Sequence, residues 1–219
     1  MMSTKKIPTN IYAEMTPNPT TMKFVADRKL TNDGRQLEFL SPEQAALCSP
    51  LAVELFHFPF VKGVFISGSF VSVTKDESLG WEMIVNQLRE YIREWLMDNE
   101  LAVDPEKVES ALAILGESSS SDIDDAPGFA PQNFIKEEDI SPSEHDDEIK
   151  RLLDEFVKPA VEQDGGAIDY VAFKEGTVYV HLRGACSGCP SSTQTLKGGI
   201  ESLLKSKLDA VEDVVAIGV

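Results

Sequence analysis

Basic residues are scarce in this chain. Lysine and arginine number 20 against 37 aspartates and glutamates, a formal net charge of −17 over 219 residues. Non-specific nucleic-acid binding needs a basic patch that displaces counterions, so this balance argues against it. Docking to an anionic membrane is disfavoured for the same reason. Long apolar runs are missing as well, and no stretch approaches the roughly 20 residues that cross a bilayer. The opening "MMSTKKIPTNIYAEM" has two lysines but no apolar segment after them and no Arg- and Ser-rich leader. The expectation is a cytoplasmic protein. Cysteine is nearly absent: only Cys48, Cys186 and Cys189 occur. So few thiols, odd in number, do not make a disulfide framework, and a close pair in a reducing compartment points to metal or redox chemistry.

What is present divides into three parts. The hydrophobic fraction of 42% is enough for packed cores. Composition changes sharply near Gly116. From Glu117 to Glu148 there are eleven acidic residues and three prolines against the single Lys136. Such a stretch cannot offset chain entropy by burial. Residues 116–145 are therefore expected to form a flexible acidic linker. Phe129, Phe134 and Ile135 are its candidates for any docking role.

The first block, residues 8–115, alternates strand and helix signals. "IYAEMT" and "TMKFVAD" read as strands around the turn-forming "PNPT", and "VKGVFIS" and "FVSVTKD" read as a hairpin about Gly68-Ser69. Ser49-Pro50 reads as a helix entry. Trp81, Ile84, Val85, Leu88, Tyr91, Ile92, Trp95 and Leu96 recur on one helical stripe. Asp104 and Pro105 open a further helix. In the second block, residues 146–219, Ile149, Leu152, Leu153, Phe156, Val157, Ala160 and Val161 keep helical spacing up to "DGG". Two strands, the cysteine loop, a helix opened by Pro190 and a last strand follow. The expected class is α+β: two small sandwich-like domains, the second ordered α-β-β-α-β.

The chemistry concentrates in "RGACSGCPSS", residues 183–192. Cys186 and Cys189 precede a helix whose amide groups and dipole favour thiolates and negative ligands, which is expected to lower a thiol pKa. Gly184 and Gly188 permit close approach of a bulky group. Three chemistries fit. A thioredoxin-like dithiol oxidoreductase places C-x-x-C between strand and helix, although that fold needs more sheet than this block offers. Structural zinc needs four protein ligands. The remaining candidates, His181 and Cys48, are discounted: His181 faces away from the core, and Cys48 reads as packing. Two thiolates are half of what an iron–sulfur cluster takes, so a symmetric pair of chains completes the set. A zinc ion held by the same four thiolates stays open at this point.

The run "GACSGCPSSTQTLKGGIE", with the sequence around it, resembles the C-terminal domain of NifU, the Nfu domain. "TPNPTTMKF", "SPLAVELF" and "VKGVFISGSFVSVTK" resemble the Nfu N-terminal domain. The resemblance implies a carrier rather than an enzyme, with no catalytic residues. It implies Cys186 and Cys189 as ligands of a [4Fe–4S] cluster, or alternatively a [2Fe–2S] cluster, shared between two subunits. Implied partners are upstream cluster donors and apo iron–sulfur client proteins, with homodimerisation on cluster binding. Ala167 stands where the family pattern often has Asp, at a position that is not a ligand.

Overall fold

The computed structural model describes residues 6–32, 34–118, 142–187 and 190–218. Most of the acidic stretch, including Phe129, Phe134 and Ile135, lies outside the described residues, as do Gly188 and Cys189. The chain divides into two compact units, with the division inside the acidic stretch. The protein is α+β, as its alternating signals imply.

In the first unit five antiparallel strands form one sheet. They are β1 (Ile11–Met15), β2 (Thr21–Ala26), β3 (Gln36–Phe39), β4 (Val61–Ser67) and β5 (Phe70–Lys75), in the order β1-β2-β5-β4-β3. Period-2 alternation puts Met22, Phe24, Val64, Ile66, Val71 and Val73 into one core. Helices α1 (Pro42–Ala46), α2 (Pro50–Phe56), α3 (Trp81–Asp98) and α4 (Pro105–Ser118) supply the rest. The α3 stripe buries Ile84, Leu88, Ile92 and Leu96, while Trp81, Val85, Tyr91 and Trp95 pack at its margins. Ser49 caps α2 as expected: its hydroxyl accepts from the Ala52 amide at 3.1 Å. It also donates to the Ala102 carbonyl at 2.9 Å, tying α2 to the entry of α4. Asp104 caps α4 by accepting from the Glu106 amide at 3.1 Å. Helix α4 continues to Ser118, so the expected boundary at 116 falls inside its last turn. The short β3 and α1 were not expected from the sequence. Their signals are the alternating "QLEF" and the Ser41-Pro42 entry, where Ser41 accepts from the Gln44 amide.

The second unit follows the expected order. Helix α5 (Asp146–Leu152) passes through a π turn (Leu153–Val157) into α6 (Lys158–Gln163). Strands β6 (Gly166–Lys174) and β7 (Thr177–Gly184) pair antiparallel. Helix α7 (Pro190–Lys207) then crosses over to β8 (Asp213–Gly218), parallel to β7. The sheet order is β6-β7-β8.

The π turn corrects one expectation. Phe156 and Ala160 keep helical spacing in the sequence, yet both are exposed, Phe156 by 48%. Pro159 lacks the amide that would meet the Glu155 carbonyl, and its ring crowds that carbonyl. The helix widens just before it, where the Lys158 amide donates five residues back, to Leu153. One extra residue in the turn rotates Phe156 and Ala160 off the buried face. Val161 beyond the widening returns to the core. A bulge between Tyr170 and Ala172 acts similarly in β6. It lets Tyr170 and Phe173, three residues apart, both pack on the core side.

The β6–β7 hairpin turns through Glu175 and Gly176, both with positive φ (49° and 80°). This two-residue turn favours Asn-Gly, because a side chain such as Glu is strained in the left-handed region. Glu175→Asn is expected to stabilise the second unit by about 1 kcal/mol. A thermal melt of the full chain checks this, and an unchanged or lower transition for that unit would count against it.

Candidate functional site

The sequence places its chemical candidates on one loop, between the end of β7 at Gly184 and the start of α7 at Pro190. Of that loop, Ala185, Cys186 and Ser187 are described. The loop lies against the turn that ends α6. Gly165 takes the left-handed conformation there (φ 83°), and its carbonyl accepts from the Ala185 amide at 3.2 Å. Gly166 begins β6 directly opposite Gly184, which is itself left-handed (φ 66°). The Gly184 carbonyl accepts from the Ser187 amide at 3.2 Å and from its hydroxyl at 2.9 Å. Three glycines thus let two chain segments, distant in sequence, fold into one tight corner.

Cys186 points inward from this corner. It is 6% exposed and belongs to the core that includes Ile168, Leu182 and Ile200. Burial pushes its thiol up to about 12, and the negative charge of Asp164 adds to the effect. This corrects the expectation of a lowered pKa. The start of α7 lies downstream, but removal of the thiol from water outweighs the helix end, so near pH 7 Cys186 is a neutral thiol in this arrangement.

The strand leading to the loop carries charge on its outward face. His181 stands opposite Asp169, and Arg183 forms an ion pair with Asp169. His181 does lie away from the core, as expected, but it is more enclosed than a surface residue. Burial, and next the neighbouring Arg183, hold its pKa below the ordinary histidine range, with Asp169 opposing. Cys48 sits in the first unit's core at 2% exposure, with its pKa raised by burial, which fits the packing role read from the sequence. Among the described residues no three His, Cys, Asp or Glu side chains converge on a point that could hold a metal ion. Cys189 lies outside the described residues. No helix among the described residues is long and apolar enough to cross a membrane.

The glycine pair after Asp164 reads in the sequence as a helix stop. Gly165 alone performs that role. Gly166 lies outside the positive-φ glycines, and what it supplies is room beside Cys186.

Residues 11–99 match the family model described as scaffold protein Nfu/NifU N terminal, and residues 149–215 match that of the NifU-like domain. The human protein called NFU1 iron-sulfur cluster scaffold homolog, mitochondrial, is 33% identical over 205 residues, covering 93% of this chain and 70% of the human one. The Drosophila persimilis protein of the same name is 32% identical over 204 residues, again 93% of this chain. This chain spans 64% of that relative's length and 60% of the Drosophila grimshawi one. Among solved structures, the solution structure of a NifU-like protein from Saccharomyces cerevisiae aligns with 47% of this chain and 89% of its own, at 23% identity and a TM-score of 0.40.

Proposed function

This chain belongs to the family of Nfu/NifU scaffold proteins, and from that premise we propose that it carries an iron–sulfur cluster and hands it to apo-proteins. The observation that carries this reading is the position of the cysteine pair. In the sequence, Cys186 and Cys189 both fall between the end of β7 at Gly184 and the start of α7 at Pro190, inside the segment matched to the NifU-like domain. The helix start beside the pair suits a thiolate-ligated cluster, which carries net negative charge once it is bound.

Cys186 and Cys189 of one chain supply two thiolates, and the same pair from a second copy supplies the others. On this reading the four thiolates hold a [4Fe–4S] cluster across a two-fold axis, the same ligand set also suiting a [2Fe–2S] cluster. Transfer proceeds by ligand exchange. A client cysteine gives up its proton and forms an iron–sulfur bond, the bond to Cys186 or Cys189 breaks, and the released thiolate takes up a proton. Each exchange conserves protons and moves no electrons. The first unit, with its separate core and no ligand pair, serves recognition of clients or donors.

Anaerobic loading of the full chain with ferrous iron and sulfide, then mixing with an apo-protein that has a four-cysteine site, tests this. The expected result is appearance of the cluster spectrum in the client with loss from the donor. Retention by the donor when the client is in excess would count against it.

A further inference from the structure

We infer that Gly166 is a positioning residue: it forms the seat into which the Cys186 thiol retracts when no cargo is bound, so that loading requires the thiol to leave the core. Its purpose rests on the carrier reading; the seat itself rests on packing alone.

The packing is specific. A Cβ at position 166 would stand 2.7 Å from the Cys186 Sγ and 3.1 Å from its Cβ. It would also stand 2.6 Å from the Arg183 carbonyl oxygen. Contacts so short do not persist, so with any side chain at 166 the strand must shift away from the Arg183 carbonyl and the thiol must leave its place as well. Gly166 has no left-handed backbone that would itself demand glycine, unlike Gly165 and Gly184. The demand at 166 is for space, and the space is taken by the Arg183 carbonyl on one side and by the thiol on the other.

The seat is also closed. Cys186 is 6% exposed, within the core that contains Ile168 and Leu182. A thiolate shared across two chains must instead reach out of its own core towards the other copy. The inward and outward positions are therefore two states of one short loop, 184–187, whose hinge residue Gly184 is already left-handed. In the inward state the ligand is shielded from solvent and oxidants. Cargo uptake is then scaled down to the fraction of chains whose thiol is outward.

The test reads thiol exposure directly. Apo wild type and Gly166→Ala are treated with N-ethylmaleimide under reducing, anaerobic conditions, and modification of each cysteine is followed by peptide mass mapping. Cys48, 2% exposed in the other unit's core, serves as the internal reference for a buried thiol, and circular dichroism reports the fold of each variant. In wild type, Cys186 is expected to react at least about tenfold more slowly than in the urea-unfolded chain, as a minor open state of about 10% or less dictates. Gly166→Ala is expected to raise the Cys186 rate several-fold with Cys48 unmoved. It should also speed the first phase of cluster loading, followed by visible absorption. A wild-type Cys186 that reacts as fast folded as unfolded overturns the seat. So does exposure in Gly166→Ala without faster loading. If the Ala variant loses secondary structure by circular dichroism, the wild-type comparison alone decides. Failure of wild type to take up any iron would defeat the carrier reading, and the alkylation rates would still decide whether the seat exists.

Discussion

Cys186→Ser and Cys189→Ser are each expected to lower cluster content at least about tenfold after anaerobic reconstitution, a loss at least as large as that from removing groups that merely support metal ligands. The effect is large because the site is shared. A substitution made in the chain is made in both copies, so one change removes two of four thiolates. Serine keeps the size and removes the soft, ionisable sulfur that iron prefers. Iron and acid-labile sulfide are counted per chain, alongside visible absorption. Unchanged content in both variants would refute the assignment of these residues. The parallel change Cys48→Ser provides the contrast. Cys48 is buried in the first unit's core and contributes packing, so cluster content should hold while stability falls modestly.

The largest effect on stability is expected at Phe24. This side chain is 0% exposed in the middle of β2, opposite Val71 in the register and within the core that joins sheet to helices. Phe24→Ala removes most of a ring and leaves a cavity, at a cost of about 3–5 kcal/mol. That is a large share of the roughly 5–15 kcal/mol that holds a typical domain folded. Urea unfolding of the full chain should show a transition moved to lower denaturant. The second unit has its own core, built on Ile149, Val180, Leu182 and Leu204, which shares no residue with the first. Iron content should therefore hold near the wild-type value. Loss of iron in step with the first unit's stability would mean that the ligand pair depends on that unit, and the independence of the two cores would not extend to function.

Much of this was legible in the sequence, for physical reasons that can be named. The α3 stripe was readable because Ile84, Leu88, Ile92 and Leu96 obey a local period that long helices keep. The two hairpins and the Ser49 cap were readable because turns and caps depend on a few adjacent residues. Strand β3 was not, since four residues hold too little alternation to stand out from a loop. The spacing of Phe156 points it into the core wrongly because Pro159 forces a wider turn, and a regular helical period assumes that none intervenes. At the site, the cysteine spacing was visible at once. The inward thiol was not. Its pKa is raised first by burial and next by Asp164, and its seat depends on Gly166, all of which act on Cys186 only after β6 and β7 have paired. Local sequence offered a helix start and its dipole, and the tertiary packing supplied the opposing and larger effect of burial.

If one chain holds half of a cluster site, a second copy must hold the other half. Size-exclusion chromatography with light scattering, run anaerobically on the reconstituted full chain with iron, sulfide and zinc measured across the peak, reads this out. The expected peak has twice the chain mass and carries about four irons and four sulfides per two chains, with no stoichiometric zinc. A single chain carrying a complete cluster, or a dimer whose metal is zinc, would contradict the shared site.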